Sequence, residues 1–234
     1  MQAEAWFLEP DALSAAELDP TPLDAHERGR AASFVRASDR VLYTAAHLAL
    51  RTVLGRLLGE RPEELVFARE PCPCCGAAHG RPVLAVPEPP LHFSLSHTEG
   101  LVLIATAPVP VGADAQLRPA PEDVAGLLPA LHPGERAGIA AEPDPRRRAA
   151  AFGRIWARKE AYLKGLGTGL GRDTTLDDLG AEPEGWTVDD LPCGPRHHGA
   201  VALRAPRSVT GPPVVNHLES LSALRDDRPA PTGI

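Results

Sequence analysis

Turn-forming residues are the strongest constraint on what this chain can fold into. Its 234 residues include 26 prolines and 21 glycines, which together make about a fifth of the sequence. Because both residue types interrupt helices and strands, this density predicts short elements joined by many loops. Hydrophobic residues at 43% and charged residues at 24% match ordinary globular composition. We therefore expect a folded chain with a real core, in one large domain or two smaller ones.

The overall charge of the chain is negative, with a formal net charge of −7 at pH 7 and a pI near 5.7. This disfavours a protein that follows nucleic-acid phosphates, because such binding needs a basic surface. The N-terminal segment lacks a charged region followed by an apolar run, and no stretch approaches about 18 uninterrupted apolar residues. We expect a cytoplasmic protein with neither a nucleic acid nor a membrane as partner.

Apolar residues at steps of three and four predict that residues 21–59 are helical. In the second part of this segment, Ser38 or Asp39 can cap the start of a helix, and Gly55 or Gly59 can end it. The segment "EELVFARE" predicts a short strand. The loop "PCPCCGAAHGRPVLAVPEPP" that follows has room for one more strand.

A β-hairpin is predicted next. In "LHFSLSH" alternate residues are apolar, and "LVLIATA", after the turn residues "TEG", is an apolar run of strand length. This hairpin would display His97 at its turn. In the following strand, "VGADAQ", Asp114 and Gln116 point the same way because side chains in a strand repeat every two residues.

The rest of the chain predicts helices near "PEDVAGLLPAL" and "PGERAGIAA", a long helix at about 145–165, and strands at "GWTVDDL" and "GAVALRA". Helices combined with short antiparallel strands indicate an α+β fold. From about residue 218 the sequence mixes charge and proline without a pattern, so we expect a frayed tail.

The long helix contains the segment "FGRIWARKEAYLKGLGTGL". Residues four apart lie on one face of a helix, so Trp156, Glu160 and Lys164 form a single stripe beside an apolar flank. Taken alone, such a stripe is most often a surface salt bridge. The helix by itself therefore does not distinguish a salt bridge from a functional site.

The four cysteines are placed unevenly, with Cys72, Cys74 and Cys75 clustered and Cys193 far away. This is a poor disulfide framework and suits a reducing compartment. Cys72, Cys75 and His79 could supply three zinc ligands, but no second ligand pair follows at zinc-finger spacing. A plain cysteine-rich loop is the favoured interpretation, and a zinc-stabilised interaction module is the alternative.

Four segments, taken in order, resemble the motifs of one enzyme family. "VGADAQ" and "WARKEAYLKGLG" are similar to the segments G-x-D-x-E and W-x-x-K-E-A-x-x-K of 4′-phosphopantetheinyl transferases of the surfactin-synthetase-activating type. "FSLSHTEG" resembles the serine–histidine segment of that family, and "HGRPVL" its G-K/R-P segment. The resemblance covers roughly residues 24 to 170. By contrast, "GLGTGLG" fits no phosphate-binding glycine motif.

The resemblance implies transfer of the 4′-phosphopantetheine arm of coenzyme A to a serine of an apo acyl or peptidyl carrier protein, with release of adenosine 3′,5′-bisphosphate. Such carriers serve fatty acid, polyketide or nonribosomal peptide synthesis. Reaction at a pyrophosphate requires charge neutralisation and alignment, and Mg²⁺ prefers oxygen ligands. The implied catalytic residues are Asp114 and Glu160, which would bind Mg²⁺, and Lys164, which would reach the pyrophosphate. Glu160 would also accept the serine proton.

The resemblance also implies residues that contact coenzyme A. His97 matches a nucleotide-contacting histidine, and Ser96 beside it can donate a hydrogen bond to phosphate. A basic residue on the early helix should contribute as well, although Leu42 occupies the position where the family usually has arginine. The candidate cofactor-binding residues are His97, Ser96, Arg40, Arg51, Arg81 and Lys159.

Gln116 departs from the family pattern, because it stands where the family has a second acidic residue. An amide oxygen can still bind a hard cation, so Gln116 remains a candidate metal ligand, with weaker Mg²⁺ affinity as the expected consequence. This residue also motivates a second hypothesis. The chain could be a homologue that binds coenzyme A or a carrier protein without turnover.

The fold that the resemblance implies is α+β, with two similar pseudo-symmetric halves at residues 1–108 and 109–234. Coenzyme A would lie in the cleft between them, and a carrier protein would dock near its mouth. The resemblance also suggests a monomer.

Overall fold

The chain combines helices and short strands in a mixed α+β fold. The computed structural model describes residues 2–86 and 91–226. In chain order its strands and helices are β1 (Glu4–Leu8), α1 (Ala25–Ala32), α2 (Ala37–Leu58), β2 (Phe67–Arg69), β3 (Pro82–Leu84), β4 (His92–Thr98), β5 (Leu101–Ala107), β6 (Val111–Leu117), α3 (Val124–Leu127), α4 (Pro133–Ala140), α5 (Pro145–Leu166), β7 (Thr187–Leu191), β8 (His197–Leu203), β9 (Val214–Leu218) and α6 (Leu221–Asp226).

The early helical segment is two helices. Ser33 ends α1 by donating from its backbone nitrogen and its hydroxyl to carbonyls of the last turn, so residues 21–59 are not one continuous helix. Of the predicted caps of the second helix, the one at the C-terminal end is confirmed and the one at the N-terminal end is wrong. α2 ends at Gly59, whose φ of 74° is the left-handed conformation that glycine favours. Its start is not capped by Ser38 or Asp39, because the cap position is Arg36, which makes no side-chain cap bond.

Two larger sheets form the centre of the fold. The first has the strand order β4-β5-β1-β9, with β1 antiparallel to β5 and parallel to β9. The second has the order β6-β8-β7 and is antiparallel throughout. The predicted hairpin of β4 and β5 is confirmed. A separate two-stranded sheet joins β2 to β3.

The two larger sheets pack face to face, with one long helix on each outer side. Leu8 and Ile104 of the first sheet face α2, while their neighbours Phe7 and Leu103 face Ala113 of the second sheet. α5 covers the other side of the second sheet through a cluster that includes Ala157, Ala161, Ala200 and Ala202. Both faces of β5 are therefore buried, which explains why "LVLIATA" is apolar without alternation.

The last part of the chain returns to the first sheet. β9 pairs with β1, and Leu218, Leu221 and Leu224 are buried in the core beneath α2. The expectation of fraying from about residue 218 is therefore wrong as far as Leu224, because these leucines bury apolar surface. Residues 227–234 lie outside the described residues. The division at residues 108 and 109 remains a prediction, and β9 crosses it to complete the sheet of the first half.

Glu17 ties this C-terminal segment to the loop before α1. Its carboxylate accepts hydrogen bonds from the Ser220 hydroxyl at 2.7 Å and from the backbone nitrogen of Leu221 at 2.8 Å. These bonds, the one from Ser220 foremost, lower the pKa of Glu17 from its ordinary 4.5 to about 2. A carboxyl group with a lowered pKa contributes stability above its ordinary pKa and loses that contribution as the pH falls through the lowered value.

We expect Glu17→Gln to lower the melting temperature at pH 7 by about 2–4 °C, the shift that a loss of about 1 kcal/mol gives in a chain of this size. The difference from wild type should shrink as the pH falls from about 5 toward 2, because the wild-type carboxylate is then protonated. Thermal unfolding followed by circular dichroism across this range measures it. Glu9→Gln, at an exposed carboxylate, is the control, and a difference that stays constant with pH would contradict the assignment.

Candidate functional site

The site is built where α5 approaches β6 at a glycine. A Cβ atom added to Gly112 would lie 2.0 Å from the carbonyl oxygen of Ala161 and 2.2 Å from the nitrogen of Gly165. Only a residue without a side chain allows this approach. Asp114 lies two residues further along the same face of β6, so the contact places it beside the end of α5 that carries Glu160 and Lys164.

We expect Gly112→Ala to push α5 away from β6 and to lower the free energy of unfolding by about 1–3 kcal/mol or more. The physical cause is overlap of the new methyl group with backbone atoms, which cannot rotate away as a side chain would. Urea unfolding measures the loss. Gly126→Ala is the matched control, because a Cβ there meets nothing within 4 Å. Equal midpoints for the two variants would refute the argument.

Serine hydroxyls join the two sheets at this point. The backbone nitrogens of Ala113 and Ala115 in β6 donate to the hydroxyls of Ser94 and Ser96 in β4, at 2.9 and 3.1 Å. Ser96 in turn donates to a carboxylate oxygen of Asp114 at 2.9 Å. Ser96 is also buried. Because its hydroxyl hydrogen is donated to Asp114, the predicted donation from Ser96 to a phosphate does not fit this geometry.

Lys164 forms its ion pair with β6 and not along its own helix. Its Nζ lies 2.7 Å from Oδ1 of Asp114 and 3.1 Å from the hydroxyl of Ser96. The side chain of Asp114 is 5% exposed and that of Lys164 is 31% exposed. The ammonium group is thus held by a buried carboxylate while part of the side chain remains open to solvent. A simple salt bridge between Glu160 and Lys164 is not what this stripe forms.

Glu160 completes a pair of carboxylates with Asp114. The pKa of Glu160 is raised, first because its carboxyl group is desolvated and second because the charge of Asp114 is close. Lys164 and a hydrogen bond from Trp156 oppose this shift. Two acidic groups that share one partly buried region favour the binding of a cation.

Gln116 extends this acidic region along β6. Its Nε2 donates to the carbonyl oxygen of Gly153 in α5 at 3.0 Å, which fixes the orientation of the amide. A cavity of about 360 Å³ is lined by Leu95, Ser96, His97, Thr98, Asp114, Ala115, Gln116, Glu160 and Lys164. It brings together six of the residues that the sequence selected.

His97 lies within β4, opposite Val102, and not in the turn that the sequence predicted. Its ring makes an edge contact with Tyr43 at a centroid distance of 6.4 Å. The pKa of His97 is lowered to about 4 by desolvation of the ring and, to a smaller extent, by His47 and Lys164. Part of the His97 side chain remains exposed to solvent. The lowered pKa means that its imidazole is neutral at pH 7.

A second and larger cavity, of about 910 Å³, adjoins the first and shares Leu95 and Lys164 with it. Arg81 lines it and donates to the carbonyl oxygen of Gly165 at 3.0 Å and to Glu70 at 2.9 Å. Residues that the sequence did not select also line it, among them Tyr43, His47 and Arg69. No local pattern in the sequence marks these residues for such a role.

Two of the residues predicted to contact coenzyme A have their charged groups buried in other contacts. The Arg51 side chain is 1% exposed and is paired with Asp24 and Glu27. The Lys159 side chain is 1% exposed, with Nζ 3.0 Å from Glu135 and 2.6 Å from the carbonyl oxygen of Asp177. Neither cavity is lined by them.

Arg40 also lies outside both cavities. It is exposed near the start of α2, where it donates to the carbonyl oxygen of Phe34 at 3.3 Å. The early helix instead faces the larger cavity with Tyr43 and His47. The residues that this structure gathers are therefore fewer than the resemblance implied, and their binding of metal or coenzyme A stays a prediction.

A family model described as the 4′-phosphopantetheinyl transferase superfamily matches residues 110–197, a range that contains β6, α5 and β7. The chain is 33% identical over 155 residues to the 4′-phosphopantetheinyl transferase HetI of Nostoc sp., covering 64% of this chain and 62% of that protein. It is 24% identical over 186 residues to a 4′-phosphopantetheinyl transferase of Bacillus subtilis, covering 78% of each. A third relative is the 4′-phosphopantetheinyl transferase AcpT of Salmonella typhi, 33% identical over 135 residues that cover 57% of this chain and 64% of AcpT.

The chain thus spans less than two thirds of the length of two of these relatives, HetI and AcpT. The matched range of the family model includes Asp114, Gln116, Glu160 and Lys164. It excludes Ser96 and His97, which enter the site from β4. Within the part of the chain that the structure describes, no helix combines the length and the apolar composition needed to cross a membrane.

Proposed function

We propose that the protein transfers the 4′-phosphopantetheine arm of coenzyme A to a serine hydroxyl of an apo acyl or peptidyl carrier protein, and the match of residues 110–197 to a model of the 4′-phosphopantetheinyl transferase superfamily supports this. The observation that carries the proposal is the meeting of Asp114, Glu160 and Lys164 in one cavity. These side chains come from two elements, and β4 adds Ser96 and His97. The names of the relatives support the same reaction.

The residues in the smaller cavity fit a hard divalent cation. Asp114 and Glu160 supply carboxylate oxygens, and the pKa of Glu160 is raised first by desolvation and second by the charge of Asp114. The amide oxygen of Gln116 is a third possible ligand, and oxygen donors of this kind suit Mg²⁺. When bound, Mg²⁺ would supply positive charge to the pyrophosphate of coenzyme A.

The larger cavity has the chemistry for the nucleotide end of coenzyme A. Arg69 and Arg81 offer positive charge, and the neutral ring of His47 adds an aromatic surface. Lys164 stands where the two cavities meet, so a pyrophosphate at this junction would be within reach of its ammonium group.

In the proposed reaction the serine oxygen of the carrier protein forms a bond to the phosphorus of the phosphopantetheine group. The bond from that phosphorus to the bridging oxygen breaks, and adenosine 3′,5′-bisphosphate leaves with the electron pair. Glu160 accepts the serine proton, for which a carboxylate of raised pKa is suited. Lys164 stabilises the charge that develops on the phosphate oxygens.

Mass spectrometry of an apo carrier protein, incubated with the protein, coenzyme A and Mg²⁺, tests the proposal. We expect the carrier to gain the mass of the phosphopantetheine arm. The second candidate is a homologue that binds without turnover, which the neutral Gln116 favours. Retained coenzyme A binding without a mass gain on acyl and peptidyl carriers alike would replace the first proposal by the second.

Gln116 gives a separate prediction. We expect Gln116→Glu to lower the Mg²⁺ concentration needed for half-maximal transfer, because a third carboxylate adds negative charge where the cation would bind. A titration of transfer rate against Mg²⁺ measures this. Gln2→Glu, which adds the same charge at an exposed residue far from the cavity, is the control. An unchanged or higher half-saturation in Gln116→Glu would contradict Gln116 as part of the metal site.

A further inference from the structure

Three metal-ligating side chains converge in the loop between β2 and β3, outside the site described above. One ligand atom each from Cys72, Cys75 and His79 lies within 4.8 Å of the other two. The sulfur of Cys75 is 3.0 Å from Nε2 of His79. None of the chain's cysteines is in a disulfide. The sequence alone favours a plain cysteine-rich loop, whereas this convergence of ligand atoms indicates a metal site.

The backbone of the loop is shaped around the first cysteine. The nitrogen of Gly76 donates to the carbonyl oxygen of Cys72 at 2.7 Å, and Gly76 has φ +74°, which glycine adopts readily. Ala77 closes the turn by accepting from the nitrogen of Cys72 at 2.7 Å.

The donor set selects the ion. Two thiolates and an imidazole are soft or borderline ligands that suit tetrahedral Zn²⁺, whereas Mg²⁺ requires oxygen. Cys72 is buried while Cys75 and His79 are exposed, so the fourth position faces solvent. We propose that Cys72, Cys75 and His79 bind one zinc ion, with water as the fourth ligand.

The location gives this ion a structural role. β2 and β3 are three residues each, and an isolated two-stranded sheet has little stability of its own. The loop also forms a wall of the larger cavity through His79 and Arg81. Arg81 reaches the last turn of α5 at Gly165, so a zinc ion that fixes the loop also fixes the position of Arg81. The role is local folding of a cavity wall, as metal binding supplies in other small loops.

Metal analysis of the full-length chain, purified with a thiol reductant and without chelators, tests the proposal. We expect about one zinc per chain by mass spectrometry of the elements, and less than about a tenth of that in Cys72→Ser and in His79→Ala. Cys74→Ser is the matched control, because it removes a neighbouring exposed thiol that is outside the three-residue cluster. Cys193→Ser is a distant control. Both should keep the wild-type zinc content.

Cobalt substitution keeps the test decisive if Cys72→Ser fails to fold. After removal of the native metal from the wild-type chain, added Co²⁺ should produce a thiolate-to-cobalt charge-transfer band that Zn²⁺ abolishes. Three results would overturn the proposal: wild-type chain without zinc and without this band, a Cys72–Cys75 disulfide that persists in reductant, or equal metal loss in Cys74→Ser and Cys75→Ser. None of these readouts uses transfer activity, so their failure is distinct from failure of the proposed function.

Discussion

Replacing Glu160 by glutamine will lower the rate of phosphopantetheine transfer by about 10²- to 10⁴-fold, the range that loss of a positioned general base produces. Glutamine has nearly the same shape, but it cannot accept the serine proton and it removes one of the two charges that would hold Mg²⁺. The transfer assay by mass spectrometry, run at saturating coenzyme A, measures the change. Because Glu160 is desolvated and close to Asp114, its neutral replacement should leave the melting temperature equal or higher.

Two further variants make this result specific. Asp114→Asn should cause a loss of similar size, since Asp114 is the other carboxylate of the cavity and the partner of Lys164. Glu99→Gln is the control, because Glu99 lies in the turn between β4 and β5 and its side chain is 75% exposed. Of the three variants, only Glu99→Gln should transfer at the wild-type rate. A rate for Glu160→Gln within about threefold of wild type would refute the role of Glu160.

Lys159→Met will destabilise the protein by about 3–5 kcal/mol, the cost of leaving one member of a buried ion pair without its partner. The carboxylate of Glu135 has no exposed side-chain surface and lies 3.0 Å from Nζ of Lys159. Glu135 also accepts hydrogen bonds from the nitrogens of His132 and Leu179, which keep it in place after the substitution. The charge of Glu135 would then be buried and poorly compensated. Urea unfolding monitored by tryptophan fluorescence measures the loss.

The matched control is Arg154→Met on the same helix. Arg154 pairs with Asp190 at the surface, where its side chain is 51% exposed, so its removal should cost about 1 kcal/mol or less. If Lys159→Met were as stable as Arg154→Met and instead weakened coenzyme A binding, the motif-based assignment of Lys159 would be restored. A large loss of stability with unchanged affinity per folded molecule is the expected outcome.

The sequence motif contains both Lys159 and Glu160, but it does not show which surroundings each side chain faces. Successive residues on a helix point about 100° apart, so neighbours in the sequence face different surroundings. Glu160 faces the cavity with Lys164, and Lys159 faces Glu135, a residue that precedes α5. Arg51 shows the same limit, since it was selected for its charge and its partners lie on the loop and helix before α2.

Local sequence pattern was sufficient to predict the helices and strands that bury one face or both faces. The strands β4 and β6 were predicted from alternation of apolar residues, β5 from a continuous apolar run, and the helix α5 was also predicted from the sequence. β1 was missed, although "EAWFL" is apolar, because five residues beside prolines carry too little pattern. The segment of β9 has too little pattern to predict a strand, and only its pairing with β1 makes it one.

The sequence by itself determined the α+β class, most of the element types and, through the resemblance, the pair of carboxylates on which the proposed chemistry depends. Only the tertiary structure decided which charges meet. Lys164 reaches Asp114 and Ser96 across 50 and 68 residues of chain, and the side chains of Cys72, Cys75 and His79 converge through the loop backbone. Periodicity is a property of neighbouring residues, whereas contacts of this kind depend on sheet order and on the close approach at Gly112, which no local pattern encodes.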